Sequence, residues 1–145
     1  MKVRENVTMP SISKVTTLLG VIRARTERGI VADLIDKLSI KTSGMDAAVA
    51  DLSGGNQQKV ALAKWLSKTC DLLILDEPTR GVDVGAKVEI YNLINDLAAQ
   101  GIAIIMISSE MMEMIGMADR VMVMSEGKVT GFLEGEEVTE ENILR

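Results

Sequence analysis

The sequence predicts an α/β fold, with helices on a mostly parallel sheet and a small helical region in front of it. Three observations carry this expectation. Residues 72–75 and 102–107 are continuous apolar runs of strand length, the pattern of strands buried on both faces. Between them Ile90, Leu93, Ile94 and Leu97 recur at helical spacing, so strand, helix and strand follow in the order of a right-handed parallel crossover. Upstream, Ile30, Val31, Leu34, Ile35 and Leu38 form one apolar helical stripe.

In chain order, residues 1–10 read as a loop or edge piece stopped by Pro10, and residues 11–20 as a short helical pattern. Thr26 is the expected cap of the striped helix. Residues 41–51 read as a loop. A helix is expected just after Ser53, with Ala61, Leu62, Trp65 and Leu66 on its inner face. The crossover helix spans residues 86–99 and stops at Gly101. Residues 110–117 form a short helix. Residues 121–125 and 128–133 form a hairpin about Glu126-Gly127, and residues 139–144 a terminal helical turn.

Composition excludes several classes. The 145 residues carry 16 basic and 21 acidic side chains, a net charge of −5, with no basic patch for nucleic acid. Phe, Trp and Tyr occur once each, too few for a base-stacking platform. No histidine is present, which removes Ser-His-Asp and Cys-His catalysis and His-based zinc sites. The lone Cys70 excludes a disulfide framework and points to a reducing compartment. No apolar run reaches the roughly 18–20 residues of a membrane span, and the opening Met1-Lys2-Val3-Arg4 does not read as a secretory signal. Charge is uneven: residues 1–50 hold eight basic and five acidic side chains, residues 51–145 eight and sixteen. Seven methionines fall within residues 106–124; thioethers can hold Cu(I), or fill irregular core gaps.

Two segments carry chemistry. Leu52-Ser53-Gly54-Gly55-Asn56-Gln57-Gln58-Lys59 places glycines at the mouth of a helix, where bare N–H groups and the dipole suit a phosphate. By itself it reads more readily as an ordinary capped helix start. Leu72-Leu73-Ile74-Leu75-Asp76-Glu77-Pro78 ends an apolar strand on two carboxylates, where ligands bind in open α/β sheets. One carboxylate can hold Mg²⁺ through its waters and the next can orient or deprotonate an attacking water. Alone, the two read equally as solvated acids.

Together, about twenty residues apart, these segments resemble the nucleotide-binding domain of ATP-binding cassette (ABC) proteins. Residues 52–57 resemble the signature motif, residues 72–77 the Walker B strand, and Gly81-Val82-Asp83 the D-loop. The longer strings 52–60 and 76–87 resemble the second ABC domain of the tandem ATPases that energise bacterial import of ribose, galactose and arabinose. Arg4-Glu5-Asn6-Val7 resembles the stretch that follows the Q-loop. The resemblance implies a partial P-loop NTPase fold of ABC type: a helical subdomain over residues 1–50, then the C-terminal part of the catalytic core over residues 51–145. No G-x-x-x-x-G-K-[ST] string occurs, so the chain is expected to be a C-terminal fragment, inactive alone. At the position of the family's switch histidine stands Ser109, which cannot carry charge as imidazole does.

The resemblance implies the cofactors ATP and Mg²⁺. It makes Asp76 the Mg²⁺ residue, Glu77 the catalytic carboxylate and Ser109 a degenerate switch. Ser53, Gly54, Gly55 and Gln57 would contact the ATP of the partner domain, and Asp83 would act in the D-loop. Implied partners are a first ABC domain of the same protein, membrane permease subunits and, indirectly, a sugar-binding protein. The implied location is the cytoplasmic face of the cell membrane. Nucleic acid is not expected, and the fragment would self-associate through apolar surface. Arg80 would contact the partner domain or pair with a surface acid. Two other functions compete: a non-catalytic docking module, and a non-transport ABC ATPase of DNA repair or translation.

Overall fold

The computed structural model describes residues 1–68 and 70–144. Its helices are α1 (Val3–Thr8), α2 (Ile12–Val15), α3 (Ala24–Lys37), α4 (Gly54–Leu66), α5 (Val84–Ala99), α6 (Met111–Met117) and α7 (Glu140–Ile143). Its strands are β1 (Leu72–Asp76), β2 (Ala103–Ile107), β3 (Arg120–Ser125) and β4 (Lys128–Glu134). The chain divides into two compact units: residues 1–73 with 79–105, and residues 74–78 with 106–145.

In the first unit α1 and α3 pack on α4, and α4 on α5. Val3, Val31, Val60, Ala63, Ile90 and Leu97 form its core. Residues 1–10 are helical and not a loop. Pro10 does not stop the chain there, because it sits in the first turn of a 3-10 segment (Met9–Ser11), where a missing N–H costs nothing. The segment is tied down by Val3 N–H to Ala47 O (2.9 Å) and Arg4 N–H to Met45 O (3.0 Å). Arg4 also bridges Asp46 and the buried Glu27, each at 2.9 Å. α2 ends at Val15, and a small hairpin follows in which Thr16 bridges Ile22. That hairpin moves the start of α3 ahead of Thr26: Arg23 N–H bonds Val15 O, and Arg23 becomes the cap residue.

α4 buries Gly55, Lys59, Val60, Leu62 and Ala63. Its inner face is therefore rotated from the expected one, and Ala61 and Trp65 are exposed. That face meets α1, α3 and α5, with α5 close against Gly55. β1 and β2 are neighbours in a two-stranded sheet. Asp71 O accepts from Ala103 N–H near their starts, and Ile107 O from Glu77 N–H near their ends, so they run parallel. Burial on both faces is not realised. Leu73 and Leu75 are buried, but Leu72 and Ile74 are 49% and 60% exposed, and no β2 residue is fully buried.

In the second unit β3 and β4 form the expected hairpin, with Val121 opposite Leu133 and a register shift after Val123. Glu126 and Gly127 both take positive φ (49° and 75°), as a primed two-residue turn requires. Thr139 caps α7 through Asn142 N–H.

Candidate functional site

α4 begins at Gly54 with Ser53 as its cap residue. Ser53 Oγ does not bond the helix's first N–H groups. It accepts instead from Asn56 Nδ2 (2.8 Å), while Asn56 Oδ1 accepts from Lys41 N–H (2.7 Å). Gln57 Nε2 donates to Leu52 O (2.9 Å), which fixes the turn before the helix. The ladder opens with Gln57 N–H to Ser53 O, so the N–H groups of Gly54, Gly55 and Asn56 have no helical acceptor. The Ser53 hydroxyl is exposed beside them and retains its own proton to donate.

The two glycines have separate reasons. A Cβ on Gly55 would lie 2.6 Å from the Ala86 Cβ, so this glycine lets α4 press against the start of α5. A Cβ on Gly54 would meet Gly81 O at 3.4 Å. Asp83 caps α5 by accepting from Ala86 N–H at 3.0 Å. Helix start, Gly81 turn and α5 cap thus form one packed group.

Sequence reasoning missed Lys59. It is 3% exposed, and its Nζ lies 2.7 Å from Glu89 Oε2 and 3.2 Å from Ser39 O. The hydrogen bond from Lys59, with help from the charge of Lys41, holds the Glu89 carboxyl below its usual range. Only the burial would have exposed this pair, because lysine is by default a surface residue. Arg80 is exposed and borders a groove of about 510 Å³ with Gly54, Gln57, Lys64 and Gly81; the groove's described lining contains no acid.

In the second unit Asp76 ends β1 with an exposed carboxylate. Glu77 follows with a left-handed backbone, φ 47°, sparsely populated for a residue with a Cβ and typical of functional sites. Its N–H bonds Ile107 O at 2.8 Å, and its Oε1 accepts from Ser109 N–H at 3.0 Å. Ser109 therefore reaches Glu77 through its backbone. The neighbouring Ser108 is structural: its hydroxyl bonds the buried Glu113 and accepts from Glu110 N–H.

A metal has limited purchase here. Among the described residues no group of three or more His, Cys, Asp or Glu side chains could hold one. A single exposed carboxylate suits Mg²⁺, which keeps waters and phosphate oxygens around it. The donor-rich start of α4 suits the phosphate of a nucleotide. Cys70 is half-buried with its Sγ on Leu72 O.

The profile of the ABC transporter family matches residues 1–80, more than half of the 145. The chain belongs to the ABC transporter family. The ribose import ATP-binding protein RbsA of Geobacillus kaustophilus is 56% identical over 145 residues, covering 100% of this ABC chain and 29% of that protein. The RbsA of Caldanaerobacter subterraneus subsp. tengcongensis is 52% identical over 141 residues, or 97% and 28%. This chain thus spans under a third of the curated relatives it matches. A solved nucleotide-free ATP-binding cassette from an ABC transporter superposes with a TM-score of 0.80 at 24% identity, covering 99% of this chain and 59% of that one. The fold is that of ABC ATPase cassettes, as the sequence predicts. No helix among the described residues is long and apolar enough to cross a membrane.

Proposed function

We propose that the chain is part of the ATP-binding subunit of a bacterial sugar importer, coupling ATP hydrolysis to monosaccharide uptake. In this reading residues 1–50 are the helical subdomain and residues 51–145 the C-terminal part of the catalytic core of a second ABC domain. Its partners are a first ABC domain of the same protein, permease subunits and a sugar-binding protein, at the cytoplasmic face of the membrane.

One observation carries the reading. Ser53 stands at a helix start without capping it, so its hydroxyl and the N–H groups of Gly54 and Gly55 stay available. An ordinary capped start would spend the serine on its own helix. Availability is what binding the terminal phosphate of an ATP held by a facing domain requires, and Gln57 keeps the turn in shape.

The second site is weaker by composition. Glu77 is oriented by the Ser109 N–H, and a backbone N–H can position a carboxylate but not exchange a proton with the reaction. Asp76 would hold Mg²⁺ through its waters, and Asp83 fixes the turn that faces the partner domain. When bound, Mg²⁺-ATP supplies the phosphoryl group and its charge neutralisation; these side chains place it and exclude alternatives. Hydrolysis therefore falls to the site that this chain completes with Ser53, Gly54 and Gly55.

The test is reconstitution of the complete polypeptide with its permease and sugar-binding protein in vesicles. ATP hydrolysis and uptake that rise together on adding ribose, or another pentose or hexose, support the reading. A complete protein that hydrolyses ATP with no response to any sugar contradicts it.

A further inference from the structure

The hairpin between α2 and α3 presents the most exposed large apolar side chains among the described residues. Thr16 bridges Ile22, Thr17 N–H bonds Val21 O at 2.8 Å, and Gly20 N–H bonds Thr17 O at 2.9 Å with φ +77° at Gly20. These bonds fix Leu18 and Leu19 as the two central residues of a tight turn, where they are 103% and 89% exposed. Such positions normally carry Asn, Asp, Ser, Pro or Gly. Two leucines held there gain nothing from the rest of the chain, and Val21 and Ile22 extend the exposed apolar surface.

The hairpin's feet are basic. Lys14 precedes Val15 on one arm, Arg23 closes the other through Val15 O, and Arg25 follows in the first turn of α3; all three are exposed. Between Asn6 and Thr26 the sequence has these three basic residues and no acidic one, although the chain as a whole carries −5. An apolar tip above a cationic base is the combination that seats at a bilayer interface rich in anionic lipid.

We propose that this hairpin is a membrane-contact element. Leu18 and Leu19 enter the boundary between headgroups and acyl chains, while Arg23 and Arg25 meet the lipid phosphates and Lys14, bonded to Ser67 O, adds its charge nearby. Charge favours a lipid surface over an apolar protein groove, which would leave Arg23 and Arg25 without partners, whereas Lys14 already reaches Ser67 O at 3.3 Å. The inference stands on the hairpin and is independent of which solute the protein imports.

The test is flotation of the purified chain with vesicles of phosphatidylcholine alone and of phosphatidylcholine mixed with phosphatidylglycerol. Binding is expected on the anionic vesicles and weakens with salt. The double variant Leu18→Glu/Leu19→Glu is expected to lower that affinity by at least about tenfold. Arg23→Gln/Arg25→Gln should reduce the preference for anionic vesicles by about tenfold or more. Both pairs are exposed, so circular dichroism and thermal unfolding should stay those of the parent. Absence of binding to either vesicle overturns the proposal and leaves the tip to a protein surface. Binding that the Leu18→Glu/Leu19→Glu variant does not reduce overturns it too, because the contact would then lie elsewhere, as on the exposed side chains of β1.

Discussion

Lys59 and Glu89 show what a single pair contributes to holding α4 in place. Lys59 on α4 is buried, Glu89 on α5 is half-exposed, and their contact at 2.7 Å ties the two helices one turn below Gly55. Glu89 keeps its charge to lower pH than an ordinary glutamate because Lys59 donates to it. A carboxylate with a depressed native value contributes stability above its unfolded value, and the contribution fades as pH falls through the native one. The chain should therefore be more stable than its Glu89→Gln variant near neutrality, and the difference should shrink as pH drops below 4.5, the usual value. Urea titrations of both proteins across that range check the sign. A gap that is constant with pH would show that the pair carries no charge-dependent stability. At this scale the places of Ser53 at a helix start and of Asp76 and Glu77 at a strand end were legible in the sequence because each sits in a compact local string, while the roles proposed for them and for Ser109 rest on the resemblance. Lys59 was not, since its acidic partner lies thirty residues away in sequence and nothing in the string marks a lysine as buried.

Elements meet where residues are smallest. The sequence reading assigned both glycines of the helix start to the approach of an anion, whereas Gly55 serves first to admit α5. Gly55→Ala would place a Cβ 2.6 Å from that of Ala86. Overpacking of this kind costs about 1–3 kcal/mol, and Ala86→Gly in the same chain should return most of it. A double-mutant cycle by chemical denaturation gives the answer; additive losses would contradict the contact. Helices α3, α4 and α5 and the β3–β4 hairpin were legible from period and turn chemistry. The helical start at Val3 was not, because its stability comes from Glu27 and residues 45–47 and not from local periodicity. The inner face of α4 was misread for the same reason, since α1, α3 and α5 all pack on it.

At the scale of the whole molecule the strands explain the most. Leu72, Ile74, Ile105 and Ile107 expose about half of their surface, and a two-stranded sheet with apolar faces and open edges invites association. The 145-residue chain should therefore self-associate as its concentration rises, by sedimentation equilibrium, and show no ATP hydrolysis above background. A strict monomer with vigorous turnover abolished by Glu77→Gln would contradict both statements. The parallel order of β1 and β2 was legible in the sequence, but their one-sided burial was not, because an apolar run does not say what covers it. The proposed function divides labour between two ATP sites: Ser53 would complete the productive one, and Glu77 would serve the one where Ser109 stands in place of an imidazole. Ser53 is the cleaner probe, since it is exposed, while a side chain at Gly54 would crowd Gly81 O. Steady-state ATP hydrolysis by the complete protein, comparing Ser53→Arg with Glu77→Gln in the assembled transporter, tests it most directly. Ser53→Arg is expected to lose roughly 10²–10³ in rate, about 3–4 kcal/mol, and Glu77→Gln much less; equal losses, or a larger one from Glu77→Gln, would contradict this division.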